Sequence, residues 1–336
     1  MILSKEAGTY ISLDEPKSFE LVQPRSVDEA LRLFTEERDS AYLAGGCDLL
    51  DQLKHQWNNP RRVINLKAID ALRGQEAVSG GLRLGALTTL AELERDPVIR
   101  QRYTALALAA SRVATPQIRN AGTLGGNLLQ DGRCPYYRGP WRCYRAGGIV
   151  CDAHHGINTE HAIFGGDRCY IVSSSDTATA LAALDATVVV QGQGGEQRLS
   201  MQQLMLSPSQ DILHMHRLHD GRIMTAIELP ADAGRRSHFI KYTMRNVWDF
   251  ALASIAVSYR PGTRPAGWRV VLGGVAATPW RLPHVERMLE GATLDDTTIR
   301  AAALAAIESA EPLSHNAYKV ALVQKLVEQA LRESTS

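Results

Sequence analysis

Long apolar runs are missing from the sequence, and neither sign of charge dominates it. Its 336 residues carry 37 Lys and Arg against 36 Asp and Glu, so no strong field attracts nucleic acid or an anionic surface. No apolar stretch is long enough to span a bilayer, and residues 1–10 lack the apolar core of a secretory signal. We therefore expect no nucleic-acid partner, no membrane span, and a cytoplasmic location or export to the periplasm together with a partner chain.

Cysteine is scarce, and its distribution is uneven. An odd total of five argues against a closed disulfide framework and favours a reducing compartment with metal-binding or reactive thiols. Cys47 stands alone, whereas the other four occupy one short region: Cys134, Cys143, Cys151 and Cys169. Neither Cys-x-x-Cys pairs nor a compact ferredoxin run occurs there. Spacing alone therefore leaves open an iron–sulfur cluster, buried unligated thiols, or tetrahedral zinc in which His154, His155 or His161 replaces a cysteine.

The glycine fingerprint of a Rossmann site and the phosphate loop of ATPases are both absent, which disfavours NAD and ATP. Two other glycine-rich segments are present. Gly45 and Gly46 lie between a predicted strand and a predicted helix, where backbone amides can face an anion or simply form a tight turn. Residues 123–127 form a second segment poor in side chains. Two such segments in adjacent units favour one extended ligand with a pyrophosphate, such as a dinucleotide.

Hydrophobic periodicity and capping residues predict a mixture of helices and strands. Capping boxes at Ser26 and Thr89 start two helices, and Ser175 starts another. Further helices are expected at 48–57, 106–113 (ended by Pro116), 176–184, 301–310 and 318–331. Strands are expected at 41–44, 62–66, 82–86, 169–172 and 187–191, followed by an antiparallel meander at 239–245, 253–259 and 268–275. Residues 131–168 read as irregular, and a domain boundary is expected within the polar segment 193–234.

Several motifs together resemble one known family. They are Ala-Gly-Gly at 44–46, Ile-Arg-Asn at 118–120 with Gly-Thr-Leu-Gly-Gly-Asn-Leu at 122–128, Ser-Ser-Ser-Asp at 173–176, and Leu-Gly-Gly-Val-Ala at 272–276 with Pro-Trp-Arg at 279–281. In this order they look like the FAD-binding subunits of the xanthine oxidase family of molybdenum hydroxylases. The resemblance implies an α+β chain with two small α/β FAD-binding subdomains, at 12–70 and 71–230, and a C-terminal domain of antiparallel sheet and helices at 235–336. It places an insertion at 131–169.

The resemblance also implies an FAD site. Its residues would be Ala44, Gly45, Gly46, Cys47, Asp48, Leu49, Thr115, Ala121, Thr123, Gly125, Gly126, Asn127, Asp176 and Lys241. Asp176 would accept from an adenosine hydroxyl, and Lys241, which by spacing shares a strand face with Arg245, would lie near the flavin ring. A solvated surface cation is the alternative for Lys241. Cys47 occupies a place usually held by Thr or Ser, and we expect it to be a packed small residue.

The insertion resembles those of 4-hydroxybenzoyl-CoA reductase and, more closely, bacterial aldehyde oxidoreductase. That likeness implies a [4Fe-4S] cluster on Cys134, Cys143, Cys151 and Cys169. It further implies a heterotrimer with a molybdopterin-binding large subunit, a [2Fe-2S] small subunit and an external acceptor such as a ferredoxin, with no catalytic residue in this chain. Two alternatives come from other classes: a zinc-stapled binding module without a redox role, and a self-sufficient flavin oxidase.

Overall fold

The computed structural model describes residues 16–231, 234–246 and 248–334. Residues 1–15, 335 and 336, at the ends of the predicted units, lie outside the described residues. Within them the backbone forms three separate sheets, each with helices packed beside it. The predicted α+β class is confirmed.

The first sheet is small and parallel. Its strands β1 (Glu20–Val22), β2 (Ser40–Leu43) and β3 (Arg62–Asn65) pair in the order β1-β3-β2, with helices α1 (Val27–Glu36) and α2 (Leu49–Lys54) in the connections. Helix α1 begins where predicted, because the Ser26 side chain accepts from the Glu29 amide at 3.1 Å. The Glu29 carboxylate accepts from the Arg25 amide and not from Ser26, so only half of the predicted capping box forms.

The second sheet is antiparallel and contains the largest core. Its strands are β4 (Gln75–Val78), β5 (Gly81–Gly85), β6 (Thr187–Gly192), β7 (Gly195–Ser200) and β8 (Ile223–Leu229), in the order β4-β5-β8-β6-β7. Its helices are α3 (Leu90–Arg95), α4 (Pro97–Arg102), α5 (Thr104–Ser111), α6 (Pro116–Ala121), α7 (Leu124–Leu128), α8 (Asp152–His155), α9 (Asp176–Ala183) and α10 (Met201–Leu204). The predicted capping box of Thr89 and Glu92 is complete at the start of α3.

The third sheet is the predicted antiparallel meander. Strands β9 (Arg236–Tyr242), β10 (Ala253–Arg260), β11 (Ala266–Gly273) and β12 (Trp280–Arg281) pair in sequence order, and helices α11 (Pro283–Leu289), α12 (Asp296–Ala305) and α13 (Tyr318–Glu333) bury one face on them. Short 3₁₀ turns occur at Leu66–Ala68, Asp70–Leu72, Tyr144–Ala146 and Arg217–Asp220. Alanines of α5 and α9 pack against the other face of the same sheet. These two helices therefore lie between the second and third sheets.

Two local predictions were wrong. Residues 169–172 form no strand: the Tyr170 carbonyl accepts from the Ala162 amide, and the Ser173 amide donates to Ala276, so the extended segment is held between loops. Pro116 does not end a helix but starts α6, since a missing amide hydrogen costs nothing at the first helical position. The polar segment 193–234 contains two strands, β7 and the central β8.

Candidate functional site

A cleft of about 1130 Å³ lies between the first sheet, the second sheet and the β9–β10 connection. Both glycine-rich segments line it. The predicted cofactor residues in its lining are Ala44, Gly45, Gly46, Cys47, Asp48, Leu49, Thr123, Gly125, Gly126, Asn127, Asp176 and Lys241. Among the described residues, Thr115 and Ala121 are not part of that lining, and Thr115 instead caps α6. A cleft of this size suits an extended ligand better than a compact one.

The first glycine-rich segment touches the end of α6, just before the second segment. A Cβ atom at Gly45 would lie 2.1 Å from the Ala121 carbonyl oxygen, so no side chain fits there. Gly46 has a φ of +83°, in the left-handed region that favours glycine. The pair thus forms the tight turn considered from sequence, and it also lets two backbone segments approach closely. Because neither glycine has a side chain, the amide donors of this turn stay accessible to an anionic group such as a pyrophosphate.

The second segment forms a short helix, α7. The Thr123 side chain accepts from the Gly126 amide at 3.1 Å and caps α7. The Asn127 side-chain oxygen accepts from the Ser175 and Thr177 hydroxyls at 2.8 and 2.6 Å. Asn127 therefore holds α7 against the start of α9, which fixes this wall of the cleft.

Asp48 uses its carboxylate to hold the insertion. One oxygen accepts from the guanidinium groups of Arg133 and Arg138, each at 2.9 Å, and the other accepts from the Asp131 amide at 2.8 Å. Arg138 is buried and also donates to Asp51 at 2.9 Å. Since the Asp48 side chain is occupied in this way, any contact of Asp48 with a bound nucleotide would come from its backbone. The insertion is thereby attached to the segment that lines the cleft.

A buried ion pair joins the second and third sheets beside the cleft. Lys241 on β9 lies 2.6 Å from the Asp176 carboxylate at the start of α9, and it also donates to the Arg112 carbonyl at 3.0 Å. Burial raises the pKa of Asp176, while the Lys241 ammonium opposes that rise. The alternative of a solvated cation at Lys241 was therefore wrong. Lys241 thus engages one oxygen of the Asp176 carboxylate, and the expected contact of Asp176 with an adenosine hydroxyl stays a prediction.

Two further predictions near the cleft need correction. Arg245 shares no strand face with Lys241, because β9 ends at Tyr242 and the exposed Arg245 side chain pairs with Asp249 at 2.6 Å. Cys47 is exposed rather than packed, with its sulfur 3.9 Å from the Ile118 carbonyl oxygen. Spacing along the chain therefore did not predict whether Arg245 belongs to the strand, and the small size of Cys47 did not predict its burial.

The four clustered cysteines come together beside this cleft. Cys143 and Cys169 are buried, and Cys134 and Cys151 are half-buried. Burial, together with the charges of Cys143 and Cys169, raises the pKa of Cys134 to about 12, although the amides of Tyr136 and Tyr137 oppose the rise. Burial likewise raises the pKa of Cys169 to about 11. Such thiols can become ligands only beside a cationic centre that compensates the thiolate charge, as a metal cluster does.

The spacing of these thiols does not fit one zinc ion. Tetrahedral geometry with a Zn–S bond of about 2.3 Å would place the sulfurs about 3.8 Å apart. Among the described residues, the one group of three potential ligand atoms within 4.8 Å of one another is Asp211, His214 and His219, which includes no cysteine. A [4Fe-4S] core binds each thiolate through a different iron and so needs a wider set. In the part of the chain that the structure describes, no three of these sulfurs are therefore arranged as ligands of one metal ion.

Comparison with known proteins covers nearly all of the described residues. Residues 17–232 match the family described as FAD binding domain in molybdopterin dehydrogenase, and residues 238–334 match the CO dehydrogenase flavoprotein C-terminal domain. No helix among the described residues is long and apolar enough to cross a membrane. The two family matches show that the chain belongs to the FAD-binding subunits of molybdenum hydroxylases and is a subunit of an oxidoreductase complex.

Individual relatives agree over most of their length. The aldehyde oxidoreductase FAD-binding subunit PaoB of Escherichia coli K12 is 31% identical over 298 residues, covering 87% of this chain and 91% of that protein. The carbon monoxide dehydrogenase medium chain of Hydrogenophaga pseudoflava is 28% identical, covering 94% and 96%. A solved structure of carbon monoxide dehydrogenase from that organism superposes with a TM-score of 0.75 at 27% identity, covering 95% of this chain and 98% of its own. The predicted family is confirmed.

Proposed function

We propose that the chain carries FAD and a [4Fe-4S] cluster and transfers electrons within a heterotrimeric molybdenum hydroxylase of the aldehyde oxidoreductase type. The observation that carries the proposal is the group of four cysteines in an insertion attached to the cofactor cleft. Arg138 links the two, because its guanidinium donates to Asp48 and Asp51 at the cleft. In sequence it lies between Cys134 and Cys143. The likeness to an aldehyde oxidoreductase subunit supports the same assignment.

The residues of the cleft have distinct parts in holding FAD. Backbone amides of residues 44–49 would face the pyrophosphate. The amides of Gly125 and Gly126 already donate to the Ala86 carbonyl and the Thr123 hydroxyl oxygen, so these glycines would line the phosphate region without donating to it. Thr123 and Asn127 would border the ribityl region. Lys241 would lie toward the flavin ring, held in place by Asp176. FAD supplies the ability to exchange electrons singly or in pairs, which links one-electron clusters to a final acceptor.

The remaining components would belong to partner chains. A large subunit would hold molybdopterin and oxidise the substrate, and a small subunit would carry [2Fe-2S] clusters that deliver electrons to this chain. An external acceptor, such as a ferredoxin, would then receive them. In this arrangement the chain needs no acid, base or nucleophile for the organic substrate.

A cysteine replacement tests the cofactor assignment. In the anaerobically purified complex, Cys143→Ser should remove about four irons per copy of this chain and retain the flavin, because Cys143 lies in the insertion. Cys47→Ser is the matched control, since Cys47 is exposed in the cleft and outside the cluster. Iron and flavin should both survive in the control. Equal iron in wild type and Cys143→Ser, or zinc in place of iron, would refute the cluster.

A comparison of acceptors tests whether the cluster conducts. If electrons leave through it, Cys143→Ser should abolish turnover with a protein acceptor and leave turnover with a small artificial dye largely intact. Small dyes can reach the flavin through the open cleft, whereas a protein must dock outside it. An equal loss of turnover with both acceptors would show that the cluster only stabilises the insertion.

A further inference from the structure

A buried histidine lies against one cysteine of the cluster. His161 is 6% exposed, and its Nε2 is 3.2 Å from the sulfur of Cys134. Its other ring nitrogen, Nδ1, is buried without a hydrogen-bond partner among the described residues. A buried imidazole with only one hydrogen-bonding contact is unusual, so its contact with the sulfur needs an explanation.

The backbone that carries this histidine is fixed by the start of α13. The Asn316 side chain donates to the carbonyl oxygens of His161 and Ala162 at 3.0 and 3.2 Å. The fully buried Asn158 accepts from the His315 amide at 2.9 Å, and Lys319 donates to the Glu160 carbonyl at 2.8 Å. Because residues 158–162 are held at several points, the His161 ring keeps its position beside Cys134.

The chemistry of the pair sets the direction of the hydrogen bond. A thiolate bound to iron has no hydrogen and can only accept, so the 3.2 Å contact is favourable only with the hydrogen on Nε2. Hydrogen bonds to cluster sulfurs stabilise the reduced form more than the oxidised form, since reduction adds negative charge. A fixed donor therefore raises the reduction potential.

We infer that His161 is a positioning residue that donates an Nε2 hydrogen bond to the Cys134 sulfur and raises the reduction potential of the cluster. The inference rests on the proposed function, because it needs the cluster to be present. It gives the start of α13 a role in the cluster, because Lys319 in that helix and Asn316 just before it hold the backbone that carries the histidine.

The test is a redox titration of the anaerobic complex. Electron paramagnetic resonance monitors the signal that is absent from Cys143→Ser. In His161→Leu the ratio of reduced to oxidised cluster at a fixed potential should fall about tenfold, which corresponds to about 59 mV for a one-electron couple. His155→Leu is the matched control, because His155 is an exposed histidine of the same insertion. Its potential should equal that of wild type. An unchanged potential in His161→Leu, at full iron content, would overturn the inference.

A second measurement uses the wild-type complex, so it does not depend on a variant that loads its cluster. Protein labelled with ¹⁵N-histidine should show one weak nitrogen coupling to the reduced cluster in pulsed electron paramagnetic resonance. The absence of any coupling would overturn the inference, and so would the strong coupling of a nitrogen bound directly to iron. If Cys143→Ser removes no signal at all, the proposed function fails instead, which separates the two results.

Discussion

At the level of single residues, the backbone contact at Gly45 is the most restrictive point of the cleft. Gly45→Ala would place a Cβ atom 2.1 Å from the Ala121 carbonyl oxygen, and the two segments would have to separate. We expect a destabilisation of about 1–3 kcal/mol and at least a tenfold weaker affinity for FAD. Flavin content and fluorescence titration with FAD measure the effect. Gly194→Ala is the control, because no atom lies within 4 Å of its added Cβ, and it should bind FAD normally.

Lys319 makes the stability of the chain depend on pH. Its side chain is fully buried, and burial lowers the pKa of its ammonium from 10.5 to about 7. Between these values the unfolded chain holds a proton that the folded chain has released, so stability rises as the pH rises through that window. The gain should be about 2 kcal/mol between about pH 7 and 9.

Lys319→Met should remove that gain, because the substituted side chain does not titrate. Urea unfolding of the purified chain at several pH values measures the slope. Lys325→Met, at an exposed position of the same helix, should keep the slope of the wild type. Equal slopes for wild type and Lys319→Met would mean that Lys319 stays protonated in the folded chain.

Residue types and spacing predicted much of the site but not its pairings. The glycine segments and the four cysteines were identified from sequence, because glycine and thiol groups carry specific chemical demands. The partners of Asp48 and Asp176 could not be found in the same way. Arg138 is 90 positions from Asp48, and Lys241 is 65 from Asp176, and no local pattern links such distant charges.

At the level of elements, Arg138 is the more buried of two arginines that attach the insertion to the start of α2. Arg138→Gln removes the two ionic contacts to Asp48 and Asp51 and leaves both carboxylates partly unpaired. We expect a loss of about 1–3 kcal/mol, because Arg133 still pairs with Asp48, and faster hydrogen exchange in residues 131–151 and in α2. Hydrogen exchange followed by mass spectrometry measures this. Arg168→Gln, at an exposed position of the same insertion, should leave hydrogen exchange in both segments unchanged. Equal exchange rates in the two variants would contradict the attachment through Arg138.

Elements with explicit end signals were predicted well, and elements without them were not. Thr89 and Ser175 each cap a helix as expected, because a hydroxyl before an apolar run satisfies free amides. Strand β8 was missed since most of its residues are buried on both faces and do not alternate. Residues 169–172 showed a strand-like run because Cys169 and Ile171 pack in a small core, not because they pair in a sheet.

At the level of the whole molecule, the Asp176–Lys241 pair connects the FAD-binding part to the C-terminal sheet. Asp176→Ala leaves Lys241 charged and unpaired in a buried place, which should cost about 3–5 kcal/mol. The double variant Asp176→Leu with Lys241→Met should lose less, since no buried charge remains. Urea unfolding measures both. Lys325→Ala, which breaks an exposed pair, should change stability by less than about 1 kcal/mol; a double variant as unstable as Asp176→Ala would contradict the pairing.

Order along the chain, rather than any single motif, allowed the family to be recognised from sequence. Each motif alone is compatible with an ordinary turn, but the series from residue 44 to residue 281 follows one family. The way in which α5 and α9 pack between two sheets could not be predicted, because their alanine faces carry little periodic signal. Such packing depends on the complementary surface of β9 to β11.

The cofactor content of the anaerobically isolated wild-type protein tests the central claim most directly. Flavin, iron, acid-labile sulfide and zinc should be measured on one sample together with its absorption spectrum. The account predicts FAD equimolar with this chain and, beyond the iron of any partner chain, about four irons and four sulfides. Zinc without flavin, or flavin with no iron assignable to this chain, would contradict it.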